Sequence, residues 1–266
     1  NNNLTYPFNY MGSKSIDIKK LRDKNNETYK ILMNAERPMI IVGMGALTNG
    51  SGPAILYELR ELGELFGVIK KDWNGFNELH TSAGRTGALD VGCLPSKKGL
   101  SAKQIFSGIE NSNLSFIWLI GVDNKEVLNL KKQFVVYQGS HGGENASIAD
   151  VILPSASYAE KNGSFANLEG RVQRSYKASY PPGLAKEDWE IFLSIADADN
   201  IDIGFSSFDE LRKNMVTEYP HLGQYDKIPI SNYNNLKIDN HEKKDFTLEV
   251  NKIDYYQTNI VARSSK

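Results

Sequence analysis

Cysteine is almost missing from this chain of 266 residues, which contains a single one, Cys93. One thiol cannot hold an iron–sulfur cluster, which takes about four thiolate ligands, and it cannot form an intrachain disulfide. Histidine is nearly as scarce. The four present, His80, His141, His221 and His241, contain no pair at metal-ligand spacing. Long apolar runs are absent as well. The longest, PMIIVG and FIWLIGV, have the length of buried strands, far short of the roughly 18–20 residues that cross a bilayer. No charge of one sign dominates, because 31 Lys and Arg face 32 Asp and Glu, for a formal net charge of −1. That balance excludes a broad electrostatic drive toward nucleic acid or anionic membrane. The short pairs Lys131-Lys132 and Lys243-Lys244 form no basic stripe interleaved with aromatics. The opening NNNLTYPFNY reads as neither a signal peptide nor an Arg-rich transit peptide, a silence that a removed presequence also leaves.

What is present is the composition of a globular core, 40% hydrophobic and 24% charged. Residues 1–34 begin extended and turn helical, with Leu21, Ile31 and Leu32 apolar among Lys and Asn. MIIVG (39–43) is a continuous apolar run, the pattern of a parallel strand buried on both faces. Pro53 suits the first turn of a helix whose apolar positions are Ala54, Ile55, Tyr57, Leu59, Leu62, Leu65 and Phe66. Gly67 ends it before a short strand at 68–70, and the Gly-rich stretch 72–100 reads as irregular. A short helix follows over 101–109, with Ser101 as N-cap. FIWLIGV (116–122), FVVY (134–137) and DVILP (150–154) read as further strands, with a short helix at Lys125–Leu130. Helices are expected at Asp188–Ala198 and Phe208–Val216. Asp188 caps the first, and Trp189, Phe192 and Ile195 face inward. Strands alternating with helices predict an α/β fold, a layered and mostly parallel sheet with flanking helices. From about Tyr219 the chain turns to Asn, Asp, Lys and Tyr, the composition of a disordered tail or of an arm that orders on neighbours.

The most patterned stretch is 134–192. It contains FVVYQGSHG, then ADVILP, then a long loop carrying Glu160, Gly163, Asn167, Glu169, Gly170, Arg171 and Gln173, then PPGLAKEDW. A loop of that length in a compact domain is functional or packed against something. The run ADVILP with the following Y.EK.G.F.N.EGR.Q resembles the molybdopterin oxidoreductase superfamily. The flanking QGSHG and PPGLAKEDW narrow the resemblance to the large iron–sulfur subunit of respiratory complex I. LTYPFNYMG (4–12), AERPMIIVGMGAL (35–47), FIWLIGVDN (116–124) and DYYQTNIVARSS (254–265) resemble further segments of that subunit in the same order, with weaker likeness over 73–115 and 200–250. The chain departs from the family in lacking the cysteines of its cluster-binding N-terminal domain.

The resemblance implies a structural, non-catalytic piece of the peripheral, NADH-oxidising arm. It has no cofactor of its own, and iron–sulfur clusters sit in a partner chain that supplies the N-terminal half of a split subunit. Other peripheral-arm subunits are the remaining partners, and the expected location is the matrix side of the mitochondrial inner membrane, or the cytoplasmic face in a bacterium. Its divisions are a lead-in at 1–34 completing a domain shared with the partner, a molybdopterin-oxidoreductase-like domain at 35–200, and a helix and extended C-terminal arm at 201–266. Two alternatives stand beside this. The chain is half of a molybdopterin-binding oxidoreductase, or a free-standing nucleotide-binding α/β protein.

Several residues invite a chemical role. GMGALTNG (43–50) has the first two glycines of a dinucleotide fingerprint, but Thr48 occupies the third position and Asp72 lies beyond the usual acidic offset. A tight turn needing Gly is the favoured reading. Cys93 does not match the molybdenum-ligand position of catalytic relatives, and a lone Cys is usually a small buried hydrophobe. His141 follows a strand end, where α/β sheets place ligands, yet a hydrogen-bonded structural role is favoured. Asp150, Glu160, Asn167, Glu169, Arg171 and Gln173 are charged or polar and close in sequence. Because a buried charge needs a partner, they are expected to form an ion-paired loop clamp rather than an acid–base pair.

Overall fold

The computed structural model describes residues 5–48, 50–102, 104–105, 114–122, 133–229, 245–248 and 260–264. The expected helix at Lys125–Leu130 and most of the C-terminal arm lie outside the described residues. Contacts divide the chain into two compact units.

The first unit takes in residues 1–85, 168–170 and 228–252. It opens with helix α1 (Ser15–Lys19), a 3-10 turn at Lys20–Arg22 and helix α2 (Glu27–Asn34), whose N-cap Asn26 accepts a hydrogen bond from the Thr28 N–H. Strand β1 (Ile40–Gly43) runs straight into a short helix, α3 (Met44–Leu47), and then α4 (Gly52–Leu65). A hairpin of β2 (Ile69–Lys70) and β3 (Trp73–Asn74) leads into β4 (Phe76–Leu79), which pairs parallel with β1. Of the α4 stripe that periodicity predicts, Ile55, Leu62 and Phe66 are buried, whereas Leu65, expected on the same face, is 40% exposed. Leu62, Phe66 and Val68 form a core with Ile18, Leu21, Tyr29, Leu32, Ile40 and Phe76 packed around it. Tyr29 and Phe66 meet edge to face at 5.6 Å. Arg22 reaches Glu58 of α4 at 2.8 Å, which gives that buried carboxylate its partner.

Two expectations fail in this unit. The apolar run predicts β1 buried on both faces, but only Val42 is; Ile41 is 60% exposed, because the described pair β1–β4 leaves a sheet face uncovered. The motif reading makes Gly43 and Gly45 the glycines of a tight turn. Neither has a positive φ, and a Cβ at either meets open space. The close approach is at Gly52, where a Cβ would run into the Leu47 carbonyl, so Gly is what lets α3 and α4 meet at a corner. The stretch 72–100, irregular by composition, contains β3, β4 and a helix, α5 (Arg85–Asp90).

The second unit takes in residues 86–167, 171–227 and 253–266. Its centre is a parallel sheet in the order β5 (Phe116–Ile120), β6 (Phe134–Gly139), β7 (Val151–Pro154). The middle strand, β6, is buried from Val135 to Gln138, whereas Val151 and Ile152 of the outer strand β7 are exposed. Leu119, Val135 and Tyr137 form one core under the short helix α6 (Glu144–Ser147), with Ala146, Ile148 and Ala149 against it. The long loop after β7 contains an antiparallel hairpin, β8 (Gly163–Ala166) and β9 (Val172–Ser175), that periodicity does not reveal. Helices α7 (Asp188–Ala198) and α8 (Phe208–Glu218) follow, then a 3-10 turn at Pro220–Gly223, and α9 (Ile260–Ser264). Trp118 of β5 packs on Phe192 of α7 at 5.3 Å, and Leu222 joins Ala166 and Val172 in a second core. The buried face of α7 is Ile191 and Ala196 rather than the expected Ile195, which is 39% exposed. Cys93, expected to be buried, is exposed.

Truncating Ile55 to Ala, 1% exposed in the first core, is expected to cost about 2–5 kcal/mol. Ile31→Ala, at a position 61% exposed, is expected to change stability by less than about 0.5 kcal/mol. Chemical denaturation of the two variants checks the assignment, and equal losses would refute it.

Candidate functional site

The carboxyl edge of a parallel sheet is where α/β folds place ligands. Here that edge opens into a cleft of about 420 Å³, lined by Ser140 and His141 after β6, Pro154 and Ser155 at the end of β7, Ser157–Glu160 of the loop, Pro182, Ala185 and Val261. The His141 backbone carbonyl accepts a hydrogen bond from the Tyr137 hydroxyl at 2.9 Å, and the ring Nδ1 lies 2.9 Å from Ser140 Oγ. A hydroxyl beside an imidazole is the start of a nucleophilic dyad, but such a dyad needs a third group to orient the base. Among the described residues no carboxylate bonds the ring. Glu160, on the same cleft wall, turns its Oε2 to the Ser157 N–H at 2.9 Å.

Behind the cleft lies a polar hub that neither periodicity nor motif reveals. Gln138 ends the buried run of β6 at 0% exposure, and its Nε2 donates to Asp188 Oδ1 at 2.7 Å. Asp188 Oδ2 accepts from Lys161 Nζ of the long loop at 2.6 Å. Next to it, buried Glu187 collects the Lys177 ammonium at 3.3 Å and Trp189 Nε1 at 3.3 Å. Glu187, not Asp188, is the N-cap of α7, in a reciprocal capping box with Glu190. Asp188 is thereby released to face the sheet. Both carboxylates sit in the positive field of a helix N-terminus. The backbone ties the same corner, since the Ala156 N–H donates to the Lys186 carbonyl at 2.8 Å and the Lys186 N–H to the Pro154 carbonyl at 3.2 Å. The available signal is the acidic pair before Trp189 together with Glu190 three positions on, a capping box built from carboxylates.

The six clamp residues are distributed along the loop rather than gathered at one point. Asp150 Oδ2 accepts from the Val135 N–H at 2.7 Å, and its own N–H donates to the Val135 carbonyl, so it aligns the starts of β6 and β7. Asn167 Oδ1 accepts from the Arg171 N–H at 3.0 Å and closes the β8–β9 turn, in which Gly170 has φ +78°. Arg171 Nη1 donates to the Asp226 carbonyl at 2.8 Å. Glu169 and Gln173 are exposed. Among the described residues no three His, Cys, Asp or Glu come together as a metal site, and no helix is long and apolar enough to cross a membrane.

The frame of the second unit is thus a parallel sheet whose carboxyl edge is flanked by a long loop, a hairpin and an acid-capped helix. The molybdopterin oxidoreductase family matches residues 1–198, more than half of the chain, and the chain belongs to that family. Within it, the chain is similar to the NADH-ubiquinone oxidoreductase 75 kDa subunit of Reclinomonas americana, 36% identical over 270 residues, covering 100% of this chain and 38% of that protein. It is also similar to the G subunits of two NADH-quinone oxidoreductases. That of Rickettsia felis is 35% identical over 263 residues and that of Rickettsia conorii 36% identical over 264, each covering 99% of this chain and 37% of the relative. The chain therefore spans less than two fifths of the length of these curated relatives.

Asp188→Ala leaves the Gln138 amide buried without its acceptor, and a stability loss of about 1–3 kcal/mol is expected. Lys161→Met removes a partner that is 37% exposed and is expected to cost about 1 kcal/mol or less. Denaturation of the two variants and of the double variant measures the coupling. A loss at Asp188 no larger than at Lys161 would deny the Gln138 bond its stabilising role.

Proposed function

We propose that this chain is a structural, non-catalytic part of the peripheral, NADH-oxidising arm of respiratory complex I. It supports NADH-to-quinone electron transfer carried by iron–sulfur clusters held outside its own residues. The observation that carries this reading is the similarity to the 75 kDa and G subunits along essentially the whole chain. The surfaces of the two units, each taken by itself, support a role among neighbours. In the first, Tyr6, Tyr10, Met11 and Ile41 are exposed. In the second, Phe116, Phe134, Ile152, Tyr180 and Leu184 are exposed. Apolar area on that scale favours burial against partners. β1, β4, β5 and β7 also have open edges among the described residues.

In this reading the partners are other complex I subunits, among them the polypeptide that holds the cluster-binding cysteines. The location in this reading is the matrix side of the mitochondrial inner membrane, or the cytoplasmic face in a bacterium. The polar hub and the six loop residues Asp150, Glu160, Asn167, Glu169, Arg171 and Gln173 act here as a clamp. They hold the long loop in the one shape that neighbours can pack against, and they bind no cofactor.

The test is to isolate the chain from gently solubilised membranes, run the preparation on a native gel with an NADH dehydrogenase stain, and identify the band's polypeptides by mass spectrometry. Co-migration with a large NADH-oxidising complex that contains cluster-binding cysteine-rich sequence is expected. Recovery as a small species without those partners would overturn the proposal.

A further inference from the structure

Away from the cleft at the sheet edge, two arginines converge on one tyrosine. Arg174 of β9 lies over the Tyr225 ring with its guanidinium carbon 4.0 Å from the ring centre. Arg212 of α8 approaches the same ring at 5.6 Å and donates from Nη2 to the Tyr225 hydroxyl at 2.8 Å. Burial alone would push the Tyr225 phenol up, but hydrogen bonds from Arg174, Ser164 and Arg212 outweigh it and bring the phenol below its ordinary value. The ring face attracts both cations, yet it carries no full charge to balance them.

Neither arginine forms an ion pair with a carboxylate among the described residues. Arg212 Nε is buried without a hydrogen-bond partner among the described residues. Arg174 is exposed and its charge is solvated, so the shielded Arg212 Nε is the donor that calls for an acceptor. The two guanidiniums open on a cleft of about 200 Å³ between the β8–β9 hairpin and α8, where Ser164 stands directly across the hairpin from Arg174. Tyr176, 72% exposed, lines this cleft and a more open groove beside it. Asp209, in the first turn of α8, is the one carboxylate among the residues lining the cleft.

We propose that Arg174, Arg212 and Ser164 form a binding site for a phosphate group. Guanidinium forks match phosphate oxygens in pairs, a hydroxyl supplies a further donor, and a dianion balances two cations that have no carboxylate of their own. The phosphate is either free or carried on a nucleoside. In the second case the exposed Tyr176 ring offers a face on which a base stacks.

Equilibrium dialysis of the purified assembly containing the full chain tests this, with labelled inorganic phosphate in one arm and labelled adenosine monophosphate in the other. Saturable phosphate binding is expected, at least about tenfold weaker in Arg174→Gln and in Arg212→Gln. Asp209→Asn removes a like charge from the cleft and is expected to tighten binding several-fold, a gain that misfolding cannot produce. Nucleotide binding tighter than phosphate binding, and lost with Tyr176→Ala, assigns a nucleoside monophosphate. Equal affinities assign the free ion. Absence of saturable phosphate binding, unchanged binding in both arginine variants, or no gain in Asp209→Asn would overturn the proposal.

Discussion

The side-chain nitrogen of Gln138, at zero exposure on the central strand of a parallel sheet, needs an acceptor inside the protein, while the Oε1 of the same amide is buried without a partner among the described residues. Gln138 sits where β6 ends, and the answer comes from 50 residues further along, from Asp188 at the start of α7. That bond has wide consequences. It joins the start of α7 to the central strand, and Phe192 of the same helix packs on Trp118 of β5. It also requires Glu187 to serve as the cap, since Asp188 is committed inward. Lys161 and Lys177 then fasten both ends of the intervening hairpin to the same pair of carboxylates.

The long loop is ordered by short-range devices between these distant anchors. Asp150 sets the register of β6 and β7, Glu160 closes a turn on Ser157, and Asn167 closes the hairpin. Each satisfies backbone groups that have no sheet or helix partner. The outcome is a polar segment whose backbone is tied at several points along its length. It forms one wall of a cleft at the sheet edge and, on the hairpin's other side, carries Arg174 toward Tyr225.

The first unit follows a simpler rule. One amphipathic helix, α4, packs apolar side chains against α1, α2 and the β1–β4 pair, and the buried carboxylate of Glu58 is answered by Arg22. Both units keep apolar side chains on open sheet edges and extended segments.

Periodicity and motif by themselves determined the α/β class, the buried centre of the α4 stripe though not its Leu65, the three strands of the second unit, the two later helices and the family, because those signals are local or lie in contiguous segments. The six loop residues were legible as a polar set, but their partners were not: Asp150 bonds Val135 across a strand register, and Arg171 bonds the carbonyl of Asp226. Only the tertiary structure decided that Ile41 and Ile152 face outward, that Gly52 rather than Gly43 is the glycine a corner requires, and that Gln138, Lys161, Lys177, Glu187 and Asp188 form one hub. The physical reason is the same throughout. A hydrophobic period reports which residues prefer burial, whereas the pairing of a buried polar group depends on which distant element closes over it, and chain spacing carries no record of that.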